Sequence, residues 1–252
     1  MKFWNFVNQS EEEAELRIDG EIVSDDHAWI YEWFGIVVAS PNAFRAALSE
    51  HKGKNITVWI DSWGGDVFAG VGIYNALKEH KGKVTVKVDG KAVSAGSIIA
   101  MAGDPGQIWM TPGSIIMAHN PWSRARGEAK DMRHTADVLD EVKEAILNIY
   151  ELRTGRTRQE LSDMMDCETW MSAQTAVAKG FADGILYAEE TEPVQNAYIL
   201  SGLAIQNSAS DVMQKFFEVW QKQNPPEADP PRVCDIKRRV SVREKSLRRY
   251  HA

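Results

Sequence analysis

Apolar and polar residues alternate at three places in the first half of the chain, and each alternating stretch is followed by a stretch with a longer apolar period. Residues 16–23 run Leu-Arg-Ile-Asp-Gly-Glu-Ile-Val and read as a strand. Residues 41–50 bring Phe44, Ala47 and Leu48 to one side, with Ser40 in the cap position and Pro41 at the first helical turn, and so predict a helix. Ile56 to Asp61 predicts a second strand, which the break Ser62-Trp63-Gly64-Gly65-Asp66 ends. The next helix covers residues 67–80, apolar at Val71, Ile73, Tyr74 and Leu77, and Val84 to Val88 predicts a third strand.

In the second half, residues 107–110 and 114–119 are apolar enough for buried strands, joined by the turn Thr111-Pro112-Gly113. From Glu128 to Arg153, Met132, Leu139, Val142, Ile146 and Ile149 recur at spacings of three, four or seven, which predicts a long amphipathic helix ending at Thr154-Gly155. Shorter helices are expected over 159–165 and 172–179, the latter stopped by Gly180, and an edge strand over 181–186. Strands alternating with helices predict an α/β domain with a largely parallel sheet, in which ligands sit at the carboxyl ends of the strands.

The pattern changes after Ala188, so the expected division is a domain over 1–188 and an extension over 189–252. Val212, Met213, Phe216, Phe217 and Trp220 predict an amphipathic helix at about 209–222. The proline-rich stretch 223–231 reads as a linker, and 232–252 as a basic tail, either solvated or a docking segment for an acidic protein or nucleic acid.

Composition narrows the class. A chain of 252 residues with 44% hydrophobic residues can bury a large core, and a net charge of −7 excludes nucleic-acid binding by the whole surface. Cys167 and Cys234 stand too far apart for a metal or redox pair. The N-terminus lacks the basic start and apolar run of a signal peptide, and no apolar run spans a membrane. A cytoplasmic protein is therefore expected, without membrane partner, metal or cofactor.

Gly90-Lys91-Ala92-Val93-Ser94-Ala95-Gly96-Ser97 sets a serine between small residues, where a strand ends and a helix begins. Such a turn displays a hydroxyl and frees the next N–H for an oxyanion, although Ser94 could equally serve as a simple helix cap. A serine nucleophile needs a histidine to take its proton. His51 and His80 lie in lysine-rich helix ends, His27 in an acidic loop, His134 on the polar side of the long helix and His251 in the tail. His119 alone would emerge at a strand's carboxyl end, before Asn120-Pro121. Gly64-Gly65 after the second strand can offer unhindered N–H groups, which with that of Ala95 complete an oxyanion-hole pattern, or it can be a tight βα turn.

These segments resemble the Clp protease proteolytic subunit family, of crotonase-like fold with repeated β-β-α units. Asp61 to Gly65 resembles that family's oxyanion loop, Gly90 to Gly96 its nucleophile segment, Ile116 to Pro121 its histidine segment, and Thr169 to Ala173 with Ala176 and Gly180 to Asp183 its closing helix and strand. The resemblance covers residues 16–186. It implies Ser94 as nucleophile, His119 as base, Gly65 and Ala95 as oxyanion donors, and Gly64 as the residue that shapes the loop. The family's triad aspartate corresponds to Glu168, with Asp166 as the reserve carboxylate, and Trp63 replaces the loop proline.

Residues 64–70 and 167–173 look most like the head-maturation proteases of tailed phages, which process scaffold and capsid proteins. The resemblance further implies a ring-shaped homo-oligomer, a heptamer or stacked heptamers, acting on polypeptide, with an AAA+ unfoldase as an open partner. Two other functions compete with the serine endopeptidase. One is a housekeeping-type Clp subunit, and the other is a crotonase-type enzyme acting on an acyl thioester, in which Ser94 would be incidental. An assembly protein working through residues 190–252 is a third class.

Overall fold

The alternating stretches become strands because one face of each is apolar and must be buried, and all of them join one sheet. The computed structural model describes residues 12–188. The expected extension over 189–252, with its helix, linker and basic tail, lies outside them.

The described elements run β1 (Glu13–Ile22), α1 (Asp25–Trp33), β2 (Val38–Ala39), α2 (Pro41–Ser49), β3 (Asn55–Gly65), α3 (Val67–Lys78), β4 (Val84–Val93) and α4 (Ala95–Ala100). They continue with β5 (Ile108–Met110), β6 (Ile115–Ala118), α5 (Ala129–Thr154), α6 (Arg158–Asp166), β7 (Thr169–Ser172), α7 (Ala173–Lys179) and β8 (Gly184–Ile185). The sheet order is β2-β1-β3-β4-β5-β8, with β6 pairing both β4 and β7. Among the described residues every pairing is parallel except that of β6 with β7. This is the mixed α/β, largely parallel architecture expected of a crotonase-like fold.

Leu16, Ile18, Val58, Ile60, Val86 and Val88 point into the core and are fully or almost fully buried. Their polar neighbours occupy the opposite face, where Arg17 pairs with Asp89 at 2.8 Å and Lys87 lies over the Trp59 ring at 4.7 Å. Partly exposed pairs of this kind add little stability, about 0–1 kcal/mol each. Burial of the apolar face carries the sheet.

Strand β4 changes partners along its length. Its first half pairs with β5, from Val86 opposite Ile108 to Val88 opposite Met110, and its second half pairs with β6, from Lys91 opposite Ile115 to Val93 opposite Met117. The chain leaves β5 and re-enters the sheet further along β4, so the end of β6 comes to lie beside the end of β4.

The structure departs from the sequence reading at four points. Strand β3 continues to Gly65 rather than ending at Asp61, because a register shift between Asp19 and Glu21 lets Ile22 pair with Gly65. The extra residue lies on β3, where Ser62 and Trp63 stand across from Gly20, whose φ is 88°. Strand β4 continues to Val93 rather than ending at Val88, because β6 takes over as its partner. His27 lies on α1 rather than in a loop, with Nδ1 3.0 Å from Ser24 Oγ. Residues 169–172 form the antiparallel strand β7, too short to carry a readable alternation of its own.

Candidate active site

Ser94 follows the last residue of β4 and occupies the cap position of α4, with φ 56° and ψ −122°. A positive φ is unusual for a residue with a Cβ and marks a backbone held by its surroundings. The Ser94 N–H donates to the Met117 carbonyl at 3.0 Å, so the turn is tied to β6. Its hydroxyl makes no capping bond to α4. Instead Ser94 Oγ lies 2.8 Å from His119 Nε2.

His119 comes from the residue after Ala118, where β6 ends. The register that sets Val93 opposite Met117 brings the residues beyond them side by side as well. With Nε2 accepting the serine proton, the imidazole carries its own proton on Nδ1. Burial lowers the His119 pKa below its ordinary 6.5, and the charge of Glu168 acts in the opposite direction. The neutral base form is thus the dominant one at pH 7.

The candidate carboxylate comes from the residue before β7. Antiparallel pairing sets Trp170 opposite Met117 and Thr169 opposite Ala118, and Glu168 and His119 lie just beyond that last pair. Glu168 is exposed, stands at φ 48° and accepts a hydrogen bond from Trp170 Nε1 at 3.1 Å. Among the described residues it makes no hydrogen bond to the imidazole, and its influence on His119 is that of a nearby charge. Asp166 belongs to a different group: its Oδ1 accepts from Lys143 Nζ at 2.6 Å and from Asn120 Nδ2 at 2.7 Å. Lys143 first and Asn120 second hold the Asp166 carboxyl below the usual carboxylate range.

The glycine loop closes the other side. A Cβ on Gly64 would lie 2.5 Å from the Val93 carbonyl, 2.8 Å from Ser94 Cβ and 2.9 Å from the Ala95 nitrogen, so only glycine lets this loop touch the serine turn. A Cβ on Gly65, at φ 143°, would fall 2.0 Å from the Ile22 carbonyl oxygen. The Gly64 N–H donates to Ser62 Oγ at 3.0 Å, whose own proton goes to the Gly20 carbonyl at 2.6 Å. Asp66 donates to the Ile22 carbonyl at 2.8 Å, so it is Asp66 and not Gly65 that bonds across to β1 at that carbonyl. Ala95 opens α4, and its N–H therefore has no intrahelical acceptor.

Several residues that shape the site escaped the sequence reading. Ser97 Oγ donates to the Ser94 carbonyl at 2.6 Å and lies 2.7 Å from the Tyr150 hydroxyl, inside the core. The Ser97 proton is spent on that carbonyl, so Tyr150 is the donor of the second bond. Burial pushes the Tyr150 hydroxyl up to about 12. Its position four residues after Ile146, on the inner stripe of α5, was the available signal for Tyr150. Ser62, Lys143 and Trp170 carried none.

A serine hydroxyl bonded to a histidine at the mouth of a parallel sheet, beside an unhindered glycine loop and a free helix N–H, has the geometry of a serine-hydrolase site. Residues 43–189 match the model of the Clp protease family. The chain is also 35% identical over 138 residues to the ATP-dependent Clp protease proteolytic subunit 1 of Chlamydia abortus (strain DSM 27085 / S26/3), covering 54% of this chain and 72% of that relative. The chain belongs to the Clp protease family. Membership supports serine-type peptidase chemistry and a polypeptide substrate.

Proposed function

We propose that the chain is a serine endopeptidase in which Ser94 is the nucleophile, His119 the general base and Glu168 the acid that orients the imidazole. The observation that carries this reading is the 2.8 Å contact between Ser94 Oγ and His119 Nε2 at a strained strand-to-helix turn. Ser94 Oγ attacks the scissile carbonyl as its proton passes to Nε2, and the new oxyanion is received by the N–H groups of Gly65 and Ala95. The protonated imidazole then gives its proton to the leaving amine, and water repeats the sequence to release the acyl group. Gly64 shapes the loop, since its N–H is already taken by Ser62.

Glu168 is preferred to Asp166 because its charge acts on His119, whereas Asp166 is occupied by Lys143 and Asn120. The biological role we favour is processing of scaffold or capsid proteins during phage head maturation, by a ring of subunits. Its support is the likeness of residues 64–70 and 167–173 to that branch. The competing role is a housekeeping subunit that works with an unfoldase, and the relative's ATP-dependent designation supports it.

A fluorophosphonate probe tests the chemistry. Labelling of the wild-type chain and none of Ser94→Ala is expected; equal labelling of the two overturns the assignment. Cleavage of co-expressed scaffold or capsid protein without ATP is expected of the head-maturation role, and strict dependence on an added unfoldase and ATP refutes it.

A further inference from the structure

Among the described residues, Trp170 is the one side chain hydrogen-bonded to Glu168, and its own position is set by the pairing of β7 with β6. Trp170 sits on β7 opposite Met117, and Glu168 lies two residues before it, in the turn between α6 and β7. The indole Nε1–H reaches back to Glu168 Oε1 at 3.1 Å. A carboxylate has two oxygens, so a hydrogen bond to one leaves the other open to a second donor.

The need for such a tether is specific to a glutamate. Its side chain has one more rotatable bond than an aspartate, and at an exposed site it would sample positions away from His119. The backbone adds a second constraint: Glu168 stands at φ 48°, between the Cys167 cap of α6 and the first residue of β7. The charged groups near His119 are few. Glu168 faces it from the α6–β7 junction, while Asp166 and Lys143 meet each other beyond Asn120.

We propose that Trp170 is a positioning residue for the acid of the triad, its indole N–H fixing one Glu168 oxygen so that the other is aligned with His119. This rests on the assignment of Glu168 made above. Trp170 touches neither substrate nor the reacting atoms and acts only through the carboxylate.

The test is Trp170→Phe, which keeps an aromatic ring on β7 and removes the N–H, in both the wild-type and Glu168→Gln backgrounds, assayed on a fluorogenic peptide amide. With Glu168 present, kcat is expected to fall about tenfold with KM unchanged, the size of one lost charge-assisted bond. In the Glu168→Gln background the same substitution is expected to change kcat less than about twofold, because there is no carboxylate left to align. Trp170→His, which retains a ring N–H, is expected to recover part of the loss and serves as the comparison if Trp170→Phe does not fold. An unchanged or higher kcat in Trp170→Phe, or an equal loss in both backgrounds, overturns the proposal. Absence of fluorophosphonate labelling in the wild-type chain would instead refute the serine-peptidase reading itself.

Discussion

Lys143 Nζ lies 2.6 Å from Asp166 Oδ1, and this pairing separates the two carboxylates that flank Cys167. One oxygen of Asp166 takes both Lys143 and Asn120, so its charge is spent beside the histidine rather than on it. Glu168→Gln is therefore expected to lower kcat by at least about a hundredfold, through loss of imidazole orientation. Asp166→Asn is expected to cost less than about tenfold, the scale of an exposed ion pair. Steady-state kinetics of the two variants on one peptide substrate decide the point, and the reverse ranking would transfer the role to Asp166.

The titration of His119 gives a second handle. Burial holds its pKa below 6.5 and the Glu168 charge raises it, so removing that charge lowers it further. The active base is the neutral imidazole. The acid limb of kcat/KM should accordingly lie below pH 6.5 in the wild-type chain and move to still lower pH in Glu168→Gln, even as the plateau drops. A limb that stays in place or moves upward would mean that Glu168 does not act on the imidazole.

The loop glycines predict a different kind of failure. Gly64→Ala would push a methyl group against Ser94 Cβ and the Ala95 nitrogen, displacing the turn that carries the nucleophile and one oxyanion donor. Turnover is expected to fall by about two to three orders of magnitude, the cost of a lost oxyanion donor. Gly65→Ala, with its Cβ 2.0 Å from the Ile22 carbonyl oxygen, should also break the β1–β3 ladder and lower the melting temperature. Calorimetry beside the kinetics separates the two.

Beneath the turn, the Ser97–Tyr150 pair should behave as a unit. Ser97→Ala leaves the buried Tyr150 hydroxyl without its partner and is expected to cost about 1–3 kcal/mol in urea unfolding. Tyr150→Phe removes the donor and should cost about 1 kcal/mol. The double substitution is expected to cost less than the sum, and strict additivity would show that the two hydroxyls do not depend on each other.

What the sequence discloses and what it hides follow from the range of the interactions. Strands β1 and β3 were readable because Leu16, Ile18, Val58 and Ile60 repeat their burial along the chain, a local property, whereas α1 and β2 were not read. The contact between Ser94 and His119 was anticipated by the shared position of the two residues at strand ends and by the family resemblance of their segments. Its distance comes from β4 exchanging β5 for β6, a long-range pairing with no local mark. Strand β7 stayed hidden for the same reason: four residues have no measurable period, and they are strand only because β6 is there to pair with. The extension of β3 to Gly65 depends on a register shift across from Gly20, on a partner strand some forty residues away, and the roles of Tyr150 and Lys143 depend on how α5 lies.

Because β4 pairs with β6 up to Val93 opposite Met117, the positions of Ser94 and His119 depend on one strand register. A slip of β6 by a single residue would carry His119 about 3.3 Å along the strand and turn its side chain to the other face. A change of register would therefore part Ser94 from His119 in a whole step rather than lengthen their contact gradually.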